Sequence, residues 1–118
     1  MKIRIKGNSL RYRLTKSDMY RLANEGYLED KTDFGGRELV YVIQKTNSKS
    51  LSAFFNDNVI CLQMPGQIIT ELDTTDKIGF EGKEGNLQLL VEKDFTCLDE
   101  VDEDQSDNYP NPLAAKLK

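Results

Sequence analysis

The sequence contains no histidine. A Ser-His-Asp triad, a Cys-His dyad and histidine-ligated zinc are therefore excluded. Its two cysteines cannot build a disulfide framework, and free thiols in a cytoplasmic chain are the simpler reading. No apolar run approaches the roughly 20 residues that a membrane-spanning helix needs. The opening Met1-Lys2-Ile3-Arg4-Ile5-Lys6 alternates charge with isoleucine, so no signal peptide is expected there. Gly35-Gly36 and Pro65-Gly66 read as turns, and neither fits a phosphate-loop pattern. No cofactor and no metal are expected.

What is present suits a single domain: 118 residues, 38% hydrophobic and 31% charged, enough for one core in a hydrophilic shell. The net charge of −4 is spread unevenly. Residues 1–21 hold seven basic side chains (Lys2, Arg4, Lys6, Arg11, Arg13, Lys16, Arg21) against Asp18, a net of +6. Residues 92–107 hold eight acidic ones against Lys93, a net of −7. Such asymmetry means either two sites for two partners or two ends that satisfy each other.

Ile3 and Ile5 take one face of a first strand, with Lys2, Arg4 and Lys6 on the other. Gly7-Asn8-Ser9 interrupts it before Leu10–Leu14 resumes the alternation, as a hairpin or a bulged long strand. Thr15 and Asp18 then form a capping box with Asp in place of Glu, and Leu14 and Met19 are placed as a hydrophobic staple. Met19, Leu22 and Ala23 keep helical spacing and Gly26 terminates, which predicts a helix over Lys16–Glu25. Gly26–Asp33 and Glu38–Thr46 read as a strand pair around Phe34-Gly35-Gly36-Arg37. Leu51–Phe55 and Val59–Met64 form a second pair around Asn56-Asp57-Asn58. A short helix with Pro65 in its first turn follows, then Ile78–Glu81 and Leu87–Phe95 around Gly82-Lys83-Glu84-Gly85. No internal repeat is visible.

The opening Met1–Arg11 (MKIRIKGNSLR), the closing Val91-Glu92-Lys93-Asp94-Phe95, and Glu103–Pro112 (EDQSDNYPNP) resemble a family of short bacterial proteins catalogued as a domain of unknown function. The resemblance covers nearly the whole chain. It implies a stand-alone bacterial protein and carries over no activity, cofactor or catalytic residue.

The basic N-terminal face is the leading candidate site. Lys2, Arg4 and Lys6, joined by Arg11 and Arg13, could line a groove for a nucleotide, polyphosphate or nucleic-acid backbone. Inside a small barrel they would look like a triphosphate tunnel, but the diagnostic Glu-x-Glu-x-Lys strand is missing. The plainer explanation is the solvated face of an edge strand, which cations protect from mispairing. A pI near 4.9 argues against a dedicated nucleic-acid binder. Asp102, Asp104 and Ser106 match the first three ligand positions of an EF-hand loop. The match then fails at Asp107, where glycine is needed, and at Leu113, where a bidentate Glu belongs. Cys61 and Cys97 have apolar neighbours and read as small core residues without a base to activate them. Glu29 and Asp33 share a strand face, as do Glu92 and Asp94, but such pairs are ordinary on a solvated sheet face.

The expected fold is α+β: a mostly antiparallel sheet of about six to eight strands, curled or barrel-like in one version, with the capped helix over one face or end. The expected core is Ile3, Ile5, Met19, Leu22, Val40, Val42, Phe54, Ile60, Leu62, Leu89 and Val91. Residues 1–98 should form the domain. The acidic 99–118 tail should pack back on it through Tyr109, Leu98 and Val101, with carboxylates near Arg11, Arg13 or Arg21. The expected function is a small non-enzymatic binding or interaction module of the bacterial cytoplasm, with a protein partner or a second copy left open and no membrane role. The alternative is a phosphate-ligand protein or enzyme using Lys2, Arg4, Lys6, Arg11 and Arg13.

Overall fold

The computed structural model describes residues 1–95 and 106–110. Over these the chain runs β1 (Lys2–Lys6), β2 (Ser9–Leu14), α1 (Lys16–Glu25), β3 (Tyr27–Asp33), β4 (Glu38–Thr46), β5 (Ser52–Asn56), β6 (Val59–Pro65), α2 (Gly66–Thr74), β7 (Gly79–Glu84) and β8 (Leu87–Lys93). The fold is α+β, but the strands form two four-stranded sheets rather than one curled or barrel-like sheet. Sheet A has the order β1-β2-β8-β7 and sheet B the order β3-β4-β6-β5. Outer pairs are antiparallel hairpins, and each sheet is joined at its centre by a parallel pair, β2 with β8 and β4 with β6.

The architecture repeats although the sequence does not. Hairpin, helix, hairpin is followed by hairpin, helix, hairpin, and each sheet takes one hairpin from each half. The first three elements of the halves start at one constant offset: Lys2 and Ser52, Ser9 and Val59, Lys16 and Gly66. Their buried positions correspond, Leu10, Tyr12 and Leu14 with Ile60, Leu62 and Met64, and Met19 and Leu22 with Ile69 and Leu72. Few identities accompany the shared burial, Asn8 with Asn58 in the turns and Leu22 with Leu72 in the helices among them, so the repeat is hard to see in the sequence.

Local chemistry accounts for the elements. The Thr15 side chain accepts from Asp18 N at 3.3 Å, and the Asp18 carboxylate accepts from Thr15 N at 3.0 Å, which completes the capping box. Gly26 closes α1 in the left-handed region at φ 71°, its N–H donating to the Leu22 carbonyl. Two-residue turns at Gly7-Asn8 and Asp57-Asn58 close the first and third hairpins, and Asp57 and Asn58 both take positive φ. The Gly7 turn settles the first segment as a hairpin rather than a bulged strand. Pro65 ends β6 and caps α2 from outside the helix instead of lying in its first turn. Gly82 lies inside β7, where a Cβ would stand 2.9 Å from that of Leu51, so the last hairpin turns later than expected, at Gly85-Asn86.

One core lies between the sheets, with both helices contributing to it. Tyr12, fully buried, donates its hydroxyl to the Ile60 carbonyl at 3.1 Å and ties β2 to β6. Of the expected core, Met19, Leu22, Val42, Ile60, Leu62, Leu89 and Val91 are buried, and Ile3 and Val40 are half-buried. Ile5 and Phe54 are not core, at 62% and 49% exposure. Ile5 has the inward parity but sits at the turn end of an edge strand, one pair before the Gly7-Asn8 turn. Phe54 has the outward parity, opposite Cys61, and the small Ala53 fills the core position beside it.

Residues 106–110 lie against the end of β8 and the start of α1. Tyr109 N–H donates to the Asp94 carbonyl at 2.9 Å, and the Tyr109 ring meets Phe95 edge-on at 6.0 Å. Lys93 Nζ lies 5.1 Å from the Tyr109 ring. Asp107 sits at the N-terminus of α1, not beside Arg11, Arg13 or Arg21: its carbonyl accepts from Lys16 N and its carboxylate from Ser17 N. Leu98, Val101, Cys97, Asp102, Asp104 and Leu113 lie outside the described residues. No helix among the described residues is long and apolar enough to cross a membrane.

Candidate functional site

Strand pairing brings all five candidate cations onto the outer face of sheet A. Directly paired residues share a face, so the register builds this surface in rows. One row runs Lys2, Arg13, Glu92, Gly79, the next Arg4, Arg11, Leu90, Glu81, and the third Lys6, Ser9, Gln88, Lys83. Lys2 therefore stands directly across from Arg13, and Arg4 from Arg11. Like charges directly opposite one another cost stability in a sheet. Two such pairs on adjacent rows of one hairpin concentrate positive potential on β1 and β2.

Acidic groups from β8 offset part of it. The Glu92 carboxylate accepts from Arg13 Nε at 2.9 Å and lies 3.6 Å from Arg11 Nε. Asp94, buried just past the end of β8, lies 3.3 Å from Lys2 Nζ. Arg4 and Lys6 are exposed and have no ion pair among the described residues. A depression of about 200 Å³ is lined by Lys2, Ile3, Arg4, Arg11 and Arg13. A second, of about 420 Å³, adjoins it at Arg11 and reaches Ser9, Gln88, Leu90 and Lys83. Both are open hollows on a sheet surface, not a tunnel through a barrel.

Lys83 belongs to this face, and sequence reading missed it by placing the turn at Gly82-Lys83-Glu84-Gly85. The one available signal was its position beside Glu81 and Glu84 in a segment of alternating charge. The carboxylate pairs separate. Glu29 and Asp33 stay exposed on β3, while Glu92 and Asp94 are both held by the basic face.

Away from this face, two buried titratable groups are held in their neutral forms. Burial pushes the Cys61 thiol up, away from the reactive thiolate, and Gln44 Oε1 at 4.0 Å is its polar neighbour. Burial also raises the Tyr12 phenol far above its ordinary value. Among the described residues, no cluster of three or more Cys, Asp or Glu side chains could hold a metal ion. The arrangement offers cationic hydrogen-bond donors on a rigid sheet, which suits holding an anion by bidentate and point-charge contacts.

No curated protein and no solved structure matches this chain. A family model does, over residues 1–113, and its family has no assigned function. The chain therefore belongs to the family of unknown function DUF7009.

Proposed function

We propose that this protein is a small non-enzymatic binding module of the bacterial cytoplasm that holds a phosphate-bearing anion on the outer face of sheet A. The carrying observation is the pair of directly opposed cations, Lys2 with Arg13 and Arg4 with Arg11, on adjacent rows. An anion seated across these rows relieves repulsion that the free protein bears, so its binding gains from both attraction and relief. Glu92 pairs with the two β2 guanidinium groups and leaves Arg4 and Lys6, which have no ion pair among the described residues, to meet the ligand.

The net charge of −4 favours a compact anion over a long nucleic-acid backbone, because the rest of the surface repels an extended polyanion. Nucleotides and short polyphosphates fit this description. A catalytic role on this face would need a free general base. Of the three carboxylates at this face, Glu92 is engaged by Arg11 and Arg13 and Asp94 by Lys2, which leaves Glu81, in the hollow beside Arg11, as the one group such a role would have to use.

A thermal-shift series with tripolyphosphate and nucleoside triphosphates at low salt tests the reading. The melting temperature should climb with the logarithm of ligand concentration. It should stay flat in a variant carrying Arg4→Glu and Lys6→Glu. A flat response of the unaltered protein up to millimolar ligand would overturn the proposal.

A further inference from the structure

The sheets end in four edge strands, β1 and β7 in sheet A and β3 and β5 in sheet B. Three of them are guarded by charge. β1 carries three charged side chains, β3 four and β7 three. β5, Ser52-Ala53-Phe54-Phe55-Asn56, carries none and has no proline. Charge and proline are the usual means of keeping an edge strand from pairing with another chain, and β5 has neither. It instead exposes two aromatic rings, Phe54 at 49% and Phe55 at 67%.

We propose that β5 is a self-association edge. It pairs antiparallel with β5 of a second copy about a twofold axis at Phe54, joining two copies of sheet B into one continuous sheet.

The occupant follows from the strand's own composition. Reversed upon itself about Phe54, β5 sets Ser52 opposite Asn56, Ala53 opposite Phe55, and Phe54 opposite Phe54, so polar meets polar and apolar meets apolar. A twofold contact requires such a self-complementary patch. β1 treated the same way would oppose Arg4 with Arg4, and a mixed β5–β1 contact would set apolar side chains against lysine and arginine. A second copy of β5 is therefore the edge in this molecule that β5 fits best.

Backbone geometry agrees. A two-residue turn at Asp57-Asn58 makes Asn56 and Val59 the hydrogen-bonded pair that closes the hairpin. Alternation along an antiparallel ladder then turns the N–H and C=O of Ala53 and Phe55 outward. In the proposed register Ala53 of one copy exchanges both backbone hydrogen bonds with Phe55 of the other. The two Phe54 rings meet on the outer face of the joined sheet, in the row that continues through the buried Cys61 and Val42. β7 runs close to β5 itself and packs its Gly82 against Leu51 just before it, so the contact centres on residues 53–55, whose outward backbone groups have no hydrogen bond among the described residues. The basic face lies on the other sheet and stays open in the dimer.

Sedimentation equilibrium of the full chain, from low micromolar to millimolar concentration, tests the proposal. The unaltered protein should dimerise. Phe54→Lys should be monomeric with an unchanged circular dichroism spectrum, because it sets like charges opposite each other across the axis. Ile5→Lys, a similarly exposed site on β1, should still dimerise. Phe54→Cys in a Cys61→Ala background, which removes the thiol that faces this position within the same hairpin, supplies a reading that does not depend on the fold of the lysine variant. A non-hydrogen-bonded antiparallel pair holds its Cα atoms about 4.5 Å apart, within disulfide reach. Mild oxidation should link the introduced thiols, as mapped by peptide mass spectrometry. A protein monomeric at every concentration would overturn the proposal. So would a dimer that survives Phe54→Lys, or oxidation of the Phe54→Cys variant that links no introduced thiols.

Discussion

Arg13 on β2 and Glu92 on β8 meet at 2.9 Å across the parallel centre of sheet A, and the same carboxylate oxygen lies 3.6 Å from Arg11. One acidic group thus serves two arginines, each of which faces another cation on β1. The balance on this face is incomplete by construction.

Glu92→Gln should sharpen that imbalance. The variant keeps the shape of the side chain and removes the charge that offsets Arg11 and Arg13. Because both arginines are partly solvated, we expect a loss of only about 0.5–1 kcal/mol in urea denaturation at low salt. The loss should shrink as salt screens the cations. Affinity for tripolyphosphate should rise in the same variant, as measured by titration calorimetry.

Arg4→Ala should act in the opposite sense. It removes the cation opposite Arg11, so stability should hold or rise by a few tenths of a kcal/mol, about the size of a like-charge cross-strand penalty. Anion affinity should fall. Stability and binding measured side by side would separate a ligand-binding cation from one that merely solubilises an edge.

Tyr12→Phe tests the tie between the sheets. It leaves the buried Ile60 carbonyl without the hydroxyl that donates to it at 3.1 Å. The expected cost is about 1–2 kcal/mol, read as a lower urea midpoint with an unchanged slope.

Asp107 predicts an acid-sensitive contact. Hydrogen bonds from Thr15 and Ser17 hold its carboxyl below the usual carboxylate range. A depressed folded value means that the charged form is favoured in the folded state. The contact is therefore fully present above the ordinary carboxylate value of about 4 and is lost as pH falls through the depressed one. The protection factor of the Ser17 amide, its exchange rate corrected for the intrinsic pH dependence, should fall over that acidic window in the unaltered protein, and Asp107→Asn should remove that fall. Identical exchange profiles for the two proteins would contradict this.

Features encoded within a few residues were legible in the sequence. The Thr15/Asp18 box and Gly26 define α1 from Lys16 to Glu25, and the alternation of Lys2, Arg4 and Lys6 places them on one face, because both signals are local. The junction of Arg11 and Arg13 with that face depended on the turn at Gly7-Asn8, one residue of which decides parity. The arrival of Glu92 between the arginines was not legible, since parallel pairing of β2 with β8 joins segments from opposite ends of the chain. Sheet membership was hidden for the same reason: a hairpin reveals its own partner, not the hairpin beside it. Phe54 misled because aromatic bulk suggests a core, whereas the edge position of β5 leaves Ala53 inside and the ring outside.

The most direct measurement of the central proposal is a titration of the isotopically labelled protein with tripolyphosphate, followed by amide and arginine Nε NMR shifts. Saturable shifts should gather on Arg4, Lys6, Arg11, Arg13 and Lys83, with β3 to β6 silent. An unchanged spectrum at millimolar ligand, or shifts confined to residues away from sheet A, would contradict the assignment of this face as the anion site.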